Sequence, residues 1–353
     1  MTNLLTFFNY LRFLRKKPLV TFKIIRGVFR AMILGKPTIR TVDFAVTYDC
    51  HYQCGFCSAL LLKNKNRKEL TKAQIIDTLK QANKLGMAHY QFTGGDPFLR
   101  DVDELCGIIK AVGANTHLIS IVTSSIFVTK EKLRKLAKAG LDIIQLSLES
   151  MNEELNDKAR GVRGAFRKTM QALEWSKESG LNICFSIVVM PDNLKEVMGV
   201  IDFAKKEGCM VLLSETALTG SWIKKEGMKL KEEHVNMIAK LRKIPHVRID
   251  KDFNFKLGSY CPAGKELIEI TAYGDVMPCA RMQISYGNVL EEPLWAIHKR
   301  MCGMPYLTYK SKICRQALDR KFYDIYLKPL QNEKQLPVEW ERLERRISDG
   351  SNS

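Results

Sequence analysis

The stretch VTYDCHYQCGFCSA, residues 46–59, places three cysteines within eight residues, at Cys50, Cys54 and Cys57. It overlaps the end of TVDFAVTY, a run rich in β-branched and aromatic residues that predicts a strand at residues 41–48. Three thiols in the loop after a strand predict a metal or redox site, because clustered cysteines outside a disulfide framework most often serve those purposes.

β-rich runs alternate with helical segments between residues 40 and 216. The runs predict six strands: TVDFAVTY, AHYQFTG, HLISIVTS, LDIIQLSLE, LNICFSIVVM and CMVLLSE. Helices are predicted between them at residues 71–85, 101–112, 129–139, 163–179 and 194–207, with Thr129 and Asn193 as N-caps. Such alternation predicts an α/β fold with a parallel sheet, in which ligands bind at the carboxyl ends of the strands. The cysteine loop lies at that edge.

Composition and charge indicate the cellular compartment of the protein. The 353 residues carry 56 Lys and Arg against 38 Asp and Glu, a formal net charge of +18, and residues 1–40 contain nine basic and no acidic residues. The N-terminus has its apolar residues before its charges and no small-residue cleavage site, and no span reaches about 18 apolar residues. We therefore expect a cytoplasmic protein with reduced thiols.

The chain divides into five predicted regions. They are basic amphipathic helices at 1–39, a core at 40–216, a charged connector at 217–260, a second cysteine region at 261–314 and a charged helical tail at 315–353. In the first region Phe22, Ile25, Phe29 and Met32 recur at helical spacing beside basic residues.

Three thiolates suit an iron–sulfur cluster better than structural zinc. Structural zinc sites use four protein ligands, often as paired C-x2-C knuckles, and the loop offers no fourth cysteine at that spacing. Three thiolates around a four-iron cluster would leave one iron open to a substrate or cofactor. Zinc and unligated thiols are the alternatives.

The C-x3-C-x2-C pattern after a first parallel strand resembles the radical S-adenosylmethionine (SAM) superfamily. The resemblance implies a partial (β/α)6 barrel and a [4Fe–4S] cluster held by Cys50, Cys54 and Cys57, with Phe56 as the aromatic residue before the last cysteine. It also implies an enzyme. The open iron binds SAM, one electron splits it into methionine and a 5′-deoxyadenosyl radical, and this radical takes a hydrogen atom from an unactivated carbon.

Two later strand ends resemble SAM contacts of the same family. The sequence GGDP stands where the family has Gly-Gly-Glu-Pro, which implies that Gly94, Gly95 and Asp96 hold the amino group of SAM. Aspartate is one methylene shorter than the glutamate of the family. After the third strand, Ser124 is expected near the ribose, although serines also cap strand ends for structural reasons.

The fourth strand ends in LSLES, which resembles the Ser-Leu-Asp-Gly of the family. Ser147 and Glu149 lie on one face of this strand and are expected to face SAM and substrate, with Glu149 as a candidate catalytic residue. The following ARGVRGAF resembles a loop whose arginine contacts SAM, which implies Arg160 or Arg163. The alternative for Glu149 is an ion pair with one of these arginines.

The second cysteine region contains Cys261, Cys279, Cys302 and Cys314. Tyr273-Gly274-Asp275 predicts a hairpin turn. The region resembles the C-terminal extension called twitch, the shorter relative of the SPASM domain, and this implies one auxiliary [4Fe–4S] cluster. Because Cys302 and Cys314 are widely spaced, either could be a non-ligand, which would leave an open coordination site; a zinc ribbon is the alternative.

The resemblance implies SAM and a one-electron reductant such as flavodoxin or ferredoxin as partners. The substrate is expected to be a peptide, another small biosynthetic intermediate or a membrane lipid. Basic residues beside phenylalanines predict peripheral attachment to an anionic membrane at its inner face, while helices packed on the sheet are the alternative. Nucleic acid is not expected, because no RNA-binding module is present. The rival hypothesis is a structural zinc protein with a basic lipid- or RNA-binding arm.

Overall fold

The computed structural model describes residues 17–36, 38–218, 220–252, 255, 261–307, 314 and 319–348. Most of the first predicted basic helix therefore lies outside the described residues.

Nine strands of the described chain form one sheet, in the order β7-β6-β5-β4-β3-β2-β1-β8-β9. The strands are β1 Thr41–Thr47, β2 His89–Gly94, β3 Leu118–Thr123, β4 Ile143–Ser147, β5 Asn182–Val189, β6 Met210–Glu215, β7 Val247–Ile249, β8 Leu267–Ile270 and β9 Val276–Met277. Strands β1 to β8 pair in parallel and β9 is antiparallel to β8. The prediction of a mainly parallel α/β sheet is confirmed.

Helices connect successive strands and cover the sheet. The α-helices are α1 Pro18–Met32, α2 Lys72–Lys84, α3 Val102–Val112, α4 Lys130–Ala139, α5 Glu153–Arg160, α6 Ala165–Glu178, α7 Leu194–Lys206, α8 Glu232–Leu241, α9 Leu294–Gly303 and, near the C-terminus, α10 Trp340–Ser348. Short 3-10 helices lie at Ser58–Leu61, Pro97–Leu99, Gly220–Trp222, Glu226–Met228 and Asp250–Asp252. Thr129 caps α4 as predicted, its hydroxyl accepting from Lys132 N at 3.2 Å.

Helix α1 lies across the amino-terminal ends of two central strands. Val20 packs on Leu118 at the start of β3, and Lys23 Nζ lies 2.6 Å from the ring of His117. The helix therefore covers the end of the barrel opposite the cysteine loop. Its outer side remains apolar and exposed.

The C-terminal extension continues the barrel sheet. Strand β8 adds to the edge of β1, and the predicted turn at Gly274, with φ +92°, joins β8 to β9. The tail is less helical than predicted. It contains the helix Arg320–Phe322, a π-helix at Tyr323–Leu327, a 3-10 helix at Lys328–Asn332 and a strand, β11 Val338–Glu339, that pairs in parallel with β10 Ile284–Ser285.

Candidate active site

A cavity of about 970 Å³ lies inside the barrel, and both cysteine regions open onto it. Cys50, Cys54 and Cys57 line it from the loop after β1, and Cys279 lines it from the extension. Inward-facing polar side chains of the strands complete the wall: Asp43, Gln91, Gln145, Ser186, Ser214 and Glu269. One cavity thus joins the two regions that the sequence singles out.

The cysteine loop is folded tightly and covered from one side. Cys57 N donates to Cys54 O at 3.1 Å, and Tyr52 N donates to the sulfur of Cys50 at 3.4 Å. The rings of Phe56 and Trp222 meet edge to face at 5.7 Å, so the connector residue Trp222 closes the loop against solvent. Sequence analysis missed this residue, because nothing in its local sequence signals a contact with a loop about 170 positions earlier.

The donor set fits a positively charged iron centre. Burial raises the pKa of the Cys54 thiol to about 12, and the neighbouring thiols Cys57 and Cys50 add to the rise. The Cys50 pKa is raised for the same main reason. Within the described chain no three potential ligands are already gathered around one point. Thiolates in this loop therefore require a bound cation to bring them together and to offset their mutual repulsion.

The double glycine at the end of β2 allows the backbone to touch the cysteine loop. Gly94 has φ +131°, and a Cβ there would lie 2.0 Å from Thr47 O. A Cβ on Gly95 would lie 2.1 Å from Asp49 O. Gly95 N donates to Thr47 O at 2.7 Å. These positions require glycine, and Gly95 lines the cavity beside the predicted cluster.

The carboxylate of Asp96 turns away from the cavity. It is fully buried and accepts hydrogen bonds from Phe98 N at 3.0 Å, from Thr123 Oγ1 at 3.0 Å and from the backbone and hydroxyl of Ser124. Asp96 and Ser124, two residues predicted separately as SAM contacts, thus lie together at one edge, and their hydrogen bonds tie the end of β2 to the end of β3. With its acceptor positions occupied, Asp96 is placed to hold this backbone rather than to reach a ligand.

Glu149 and Arg160 form a buried ion pair. Arg160 Nη1 lies 3.4 Å from Glu149 Oε1, and Val188 N donates to Glu149 Oε2 at 2.9 Å. Burial raises the pKa of Glu149, and the nearby Arg160 charge opposes that rise. Arg160 lines the cavity and stacks over the ring of Tyr52, 5.1 Å from its centroid. Of the two alternatives for Glu149, the structure favours the ion pair.

Helix α5, which the sequence analysis missed, delivers Arg160 to the site. It is short and polar, EELNDKAR, and lacks a continuous apolar stripe, but Asn152 caps it by accepting from Leu155 N at 3.1 Å. Arg163 lies three residues further on and is exposed. Ser147 is half-buried, and its carbonyl accepts from Thr169 Oγ1 at 3.2 Å.

Three cysteines of the extension are electrostatic neighbours of one another or of Arg281. Burial raises the pKa of the Cys279 thiol to about 12, and Cys261 adds to the rise. Burial opposes the charge of Arg281, but Asp250, followed by Cys314 and Cys279, raises the pKa of Arg281 overall. Cys302 has other neighbours. Its sulfur lies 3.4 Å from His298 Nε2 on the same helix, and Lys265 Nζ donates to its carbonyl at 2.6 Å.

Two family models match the chain, and each match includes one of the two cysteine regions. A model described as the radical SAM superfamily matches residues 44–204, and a model described as an iron–sulfur cluster-binding domain, SPASM, matches residues 261–316. The chain is 32% identical over 160 residues to a PqqA peptide cyclase of Bradyrhizobium diazoefficiens, an alignment that covers 45% of this chain and only 41% of that relative. A PqqA peptide cyclase of Rhizobium meliloti is 25% identical over 270 residues, covering 71% of each chain.

Solved structures share the fold. Streptococcus suis SuiB bound to its precursor peptide SuiA superposes with a TM-score of 0.63 at 16% identity, covering 87% of this chain and 73% of that one. The structure of anSMEcpe with bound AdoMet gives a TM-score of 0.57 at 12% identity over 88% and 96% of the two chains. With the cysteine loop at the carboxyl edge of a parallel barrel and a second cysteine region on the same cavity, this chain belongs to the radical SAM superfamily and carries a C-terminal SPASM-like region.

Proposed function

We propose that this enzyme uses SAM for radical chemistry on a peptide, with one auxiliary cluster beside the same cavity. The observation that carries the proposal is the single cavity of about 970 Å³ lined by both cysteine regions. A substrate in that space would contact the SAM site and the auxiliary site together. Loss of a hydrogen atom to the 5′-deoxyadenosyl radical would leave a substrate radical, and the auxiliary cluster would accept one electron from that radical or from the product radical that it forms. The net reaction would then be an oxidation or a bond formation.

The residues of this chain have distinct roles in the proposal. Cys50, Cys54 and Cys57 hold the cluster that, when reduced, supplies the electron for SAM cleavage. Arg160, held by Glu149, is placed to pair with the carboxylate of SAM. Gly95 brings backbone polar groups to the cavity wall beside the loop. Glu149 is accordingly a positioning residue, because it acts through Arg160.

For the auxiliary cluster we propose Cys261, Cys279 and Cys314 as ligands. Cys279 and Cys314 both neighbour Arg281, and Cys261 neighbours Cys279, which supports this set. Cys302 would join it only if α9 moved, since its thiol now lies against His298. Three cysteine ligands would leave one iron of the auxiliary cluster open to the substrate.

A peptide substrate is favoured over a lipid for two reasons. The relatives named above are peptide cyclases, and SuiB is seen with a precursor peptide. The apolar outer side of α1 lies at the amino-terminal end of the barrel, whereas the cysteine loop lies at the carboxyl end. Six-residue strands separate the two ends by about 20 Å. A membrane on α1 would therefore lie opposite the SAM site.

The first experiment tests the chemistry. After anaerobic reconstitution we expect about eight irons per chain and, with dithionite and SAM, release of 5′-deoxyadenosine. Cys54→Ala should abolish the release, while Cys106→Ala on α3, a cysteine outside the cavity, should leave it intact. Release by the Cys54→Ala variant would overturn the proposal. A colourless protein that binds only zinc would instead support the structural zinc hypothesis, which the family matches disfavour.

A second experiment tests the substrate class. The peptide fraction and the lipid fraction of an extract from the source organism are incubated separately with the reconstituted enzyme, SAM and reductant, and mass spectra are compared with those from the Cys54→Ala variant. We expect a SAM-dependent mass change in a peptide. A change confined to the lipid fraction would contradict the peptide assignment.

We further propose that α1 attaches the protein to an anionic membrane surface. Phe22, Ile25, Phe29, Met32 and Ile33 are each more than half exposed on this one helix. Basic residues accompany them, and residues 1–40 contain no acidic residue. An apolar face flanked by cations matches the chemistry of a lipid interface. Among the described helices, none is long and apolar enough to cross a membrane.

Vesicle binding tests this attachment. Phe22→Glu with Phe29→Glu should weaken binding to vesicles containing phosphatidylglycerol by thirtyfold or more, because removing two phenylalanines from the interface costs about 2 kcal/mol or more. Leu290→Glu with Trp295→Glu, two equally exposed apolar residues of the extension, is the matched control. Equal binding by both double variants would contradict the assignment to α1.

The electron donor is proposed to be a small acidic protein such as flavodoxin or ferredoxin. The net charge of +18 would steer an acidic partner to the surface. The rate of reduction should fall with increasing salt.

A further inference from the structure

Two carboxylates stand side by side on the inner wall of the barrel. Asp43 of β1 and Glu269 of β8 are direct partners in the parallel register, and both line the cavity. Glu269 is 3% exposed. Asp43 has some surface open to the cavity but is otherwise enclosed by the barrel. The extension therefore adds a second acid beside the acid that the core already carries.

The nearby hydrogen-bond donors do not satisfy this pair. Gln91 Nε2 donates to Asp43 Oδ1 at 3.2 Å. Glu269 Oε2 is buried and has no hydrogen-bond partner among the described residues. A buried carboxylate oxygen without a partner costs free energy unless a ligand supplies the donor. The side chain of Glu269 lies on the cavity wall, beside the space that a ligand would occupy.

The closest cation is engaged elsewhere. Burial raises the pKa of both acids, and the charge of Arg281 only opposes that rise. Arg281 itself forms an ion pair with Asp250, whose other oxygen accepts from Ser214 Oγ at 3.1 Å. Of the other arginines on the cavity wall, Arg160 pairs with Glu149, and Arg248 donates to the carbonyl groups of Pro245 and Val247. Lys205 also lines the cavity but is exposed to solvent. Two carboxyl groups thus share one already paired arginine.

We propose that Asp43 and Glu269 form a subsite that binds a positively charged group of the substrate, an ammonium or a guanidinium. This inference deepens the proposed function and rests on it. An ammonium offers three donors and a guanidinium five, and either supplies the missing hydrogen bond together with the compensating charge. In the peptide assignment this corresponds to a lysine or arginine side chain that enters the barrel below the SAM site.

Position along the strands supports this placement. Asp43 lies four residues before Thr47, the last residue of β1. Asp43 is therefore about 13 Å deeper in the barrel than the edge that carries the cysteine loop. Cys279, which belongs to the extension, lines the same cavity. A basic side chain held at Glu269 would fix the peptide backbone between the two cysteine regions. The subsite would set which residue of the peptide meets the radical.

Binding of small probes tests the subsite without a known substrate. The reconstituted full-length enzyme with SAM is dialysed anaerobically against Nα-acetyl-lysine methylamide, Nα-acetyl-arginine methylamide or the neutral Nα-acetyl-norleucine methylamide. We expect at least one cationic probe to bind tenfold or more tightly than norleucine. Asp43→Asn and Glu269→Gln should each reduce that preference severalfold, and the double variant should abolish it.

Controls separate this inference from the proposed function. Asp103→Asn with Glu131→Gln makes the same chemical changes at two exposed acids and should keep the preference. The Asp43/Glu269 double variant should still release 5′-deoxyadenosine, so a loss of cation preference is distinguishable from a failure of SAM chemistry. If the double variant does not fold, the two single variants provide the test. Equal binding of lysine and norleucine probes by the wild type, or an undiminished preference in the variants, would overturn the subsite.

Discussion

Replacement of Glu149 by glutamine distinguishes a positioning role from a catalytic one. The glutamine keeps the shape of the side chain and can still accept from Val188 N, which is 2.9 Å from Glu149 Oε2. It removes the negative charge that faces Arg160. If Glu149 acts through Arg160, the defect should appear in the affinity for SAM.

The geometry sets the size of the effect. A hydrogen bond between charged groups contributes about 1.5–3 kcal/mol. The Arg160–Glu149 distance of 3.4 Å exceeds the roughly 2.7–2.9 Å of the strongest such pairs, so the lower end of that range applies. A loss of about 1.5 kcal/mol corresponds to about a tenfold rise in KM for SAM.

Steady-state release of 5′-deoxyadenosine at varied SAM concentration provides the assay. We expect kcat at saturating SAM to stay within a few-fold of the wild-type value while KM rises. Glu196→Gln is the matched control, because Glu196 makes a comparable hydrogen bond, to Ser150 at 2.6 Å, outside the cavity. Iron content measured on the same samples checks that the cluster is loaded equally.

A defect in kcat rather than in KM for SAM would refute this reasoning. A fall in kcat of a hundredfold or more with unchanged KM would identify Glu149 as a group that acts on the substrate. An equal defect in the Glu196→Gln control would show that the assay reports general destabilisation instead.

Three further outcomes are expected. Gly95→Ala should cost about 1–3 kcal/mol and reduce iron loading, measured by melting and iron analysis, because its Cβ would meet Asp49 O at 2.1 Å. Burial raises the pKa of Asp43 to about 7. The free energy of unfolding of the wild type should therefore fall relative to that of Asp43→Asn as the pH rises from about 4 to 7. Denaturant titrations should show a difference of up to about 4 kcal/mol. Asp275→Asn should lower the free energy of unfolding by about 2 kcal/mol, because it weakens the two hydrogen bonds that Arg67 donates to the Asp275 carboxylate. Limited proteolysis should then cleave the hairpin faster than in the wild type.

Local sequence patterns were sufficient to predict the strands in the core of the fold. Each of the six predicted strands is present, because buried parallel strands carry apolar runs that alternate with amphipathic helices. Asn193 illustrates the limit. It occupies the predicted N-cap position of α7 but makes no side-chain cap bond, since its oxygen accepts from Met190 N and its amide donates to Val188 O. The preceding turn uses the groups that would otherwise cap the helix.

The candidate site was predictable only where ligands are close in sequence. The spacing of the first three cysteines fixes their loop, whereas the choice between Arg160 and Arg163 depends on where α5 ends. Gly161, with φ +69°, ends that helix directly after Arg160 and leaves Arg163 outside it. Asp43 gave no signal within its strand, because its partner Glu269 arrives from a region more than 200 residues later.

The register of β8 changes how the extension should be understood. Because β8 pairs with β1 as well as with β9, the extension forms part of the wall of the cavity that the cysteine loop lines. Gln283 Nε2 donates to Ser58 O at 2.8 Å, directly after the last cysteine of the first loop. Arg67, which also lies between β1 and α2, forms an ion pair with Asp275 of the hairpin. The extension is therefore hydrogen-bonded to the segment that follows the cysteine loop. In the proposed function, a substrate between the two cysteine regions would contact both without any domain movement.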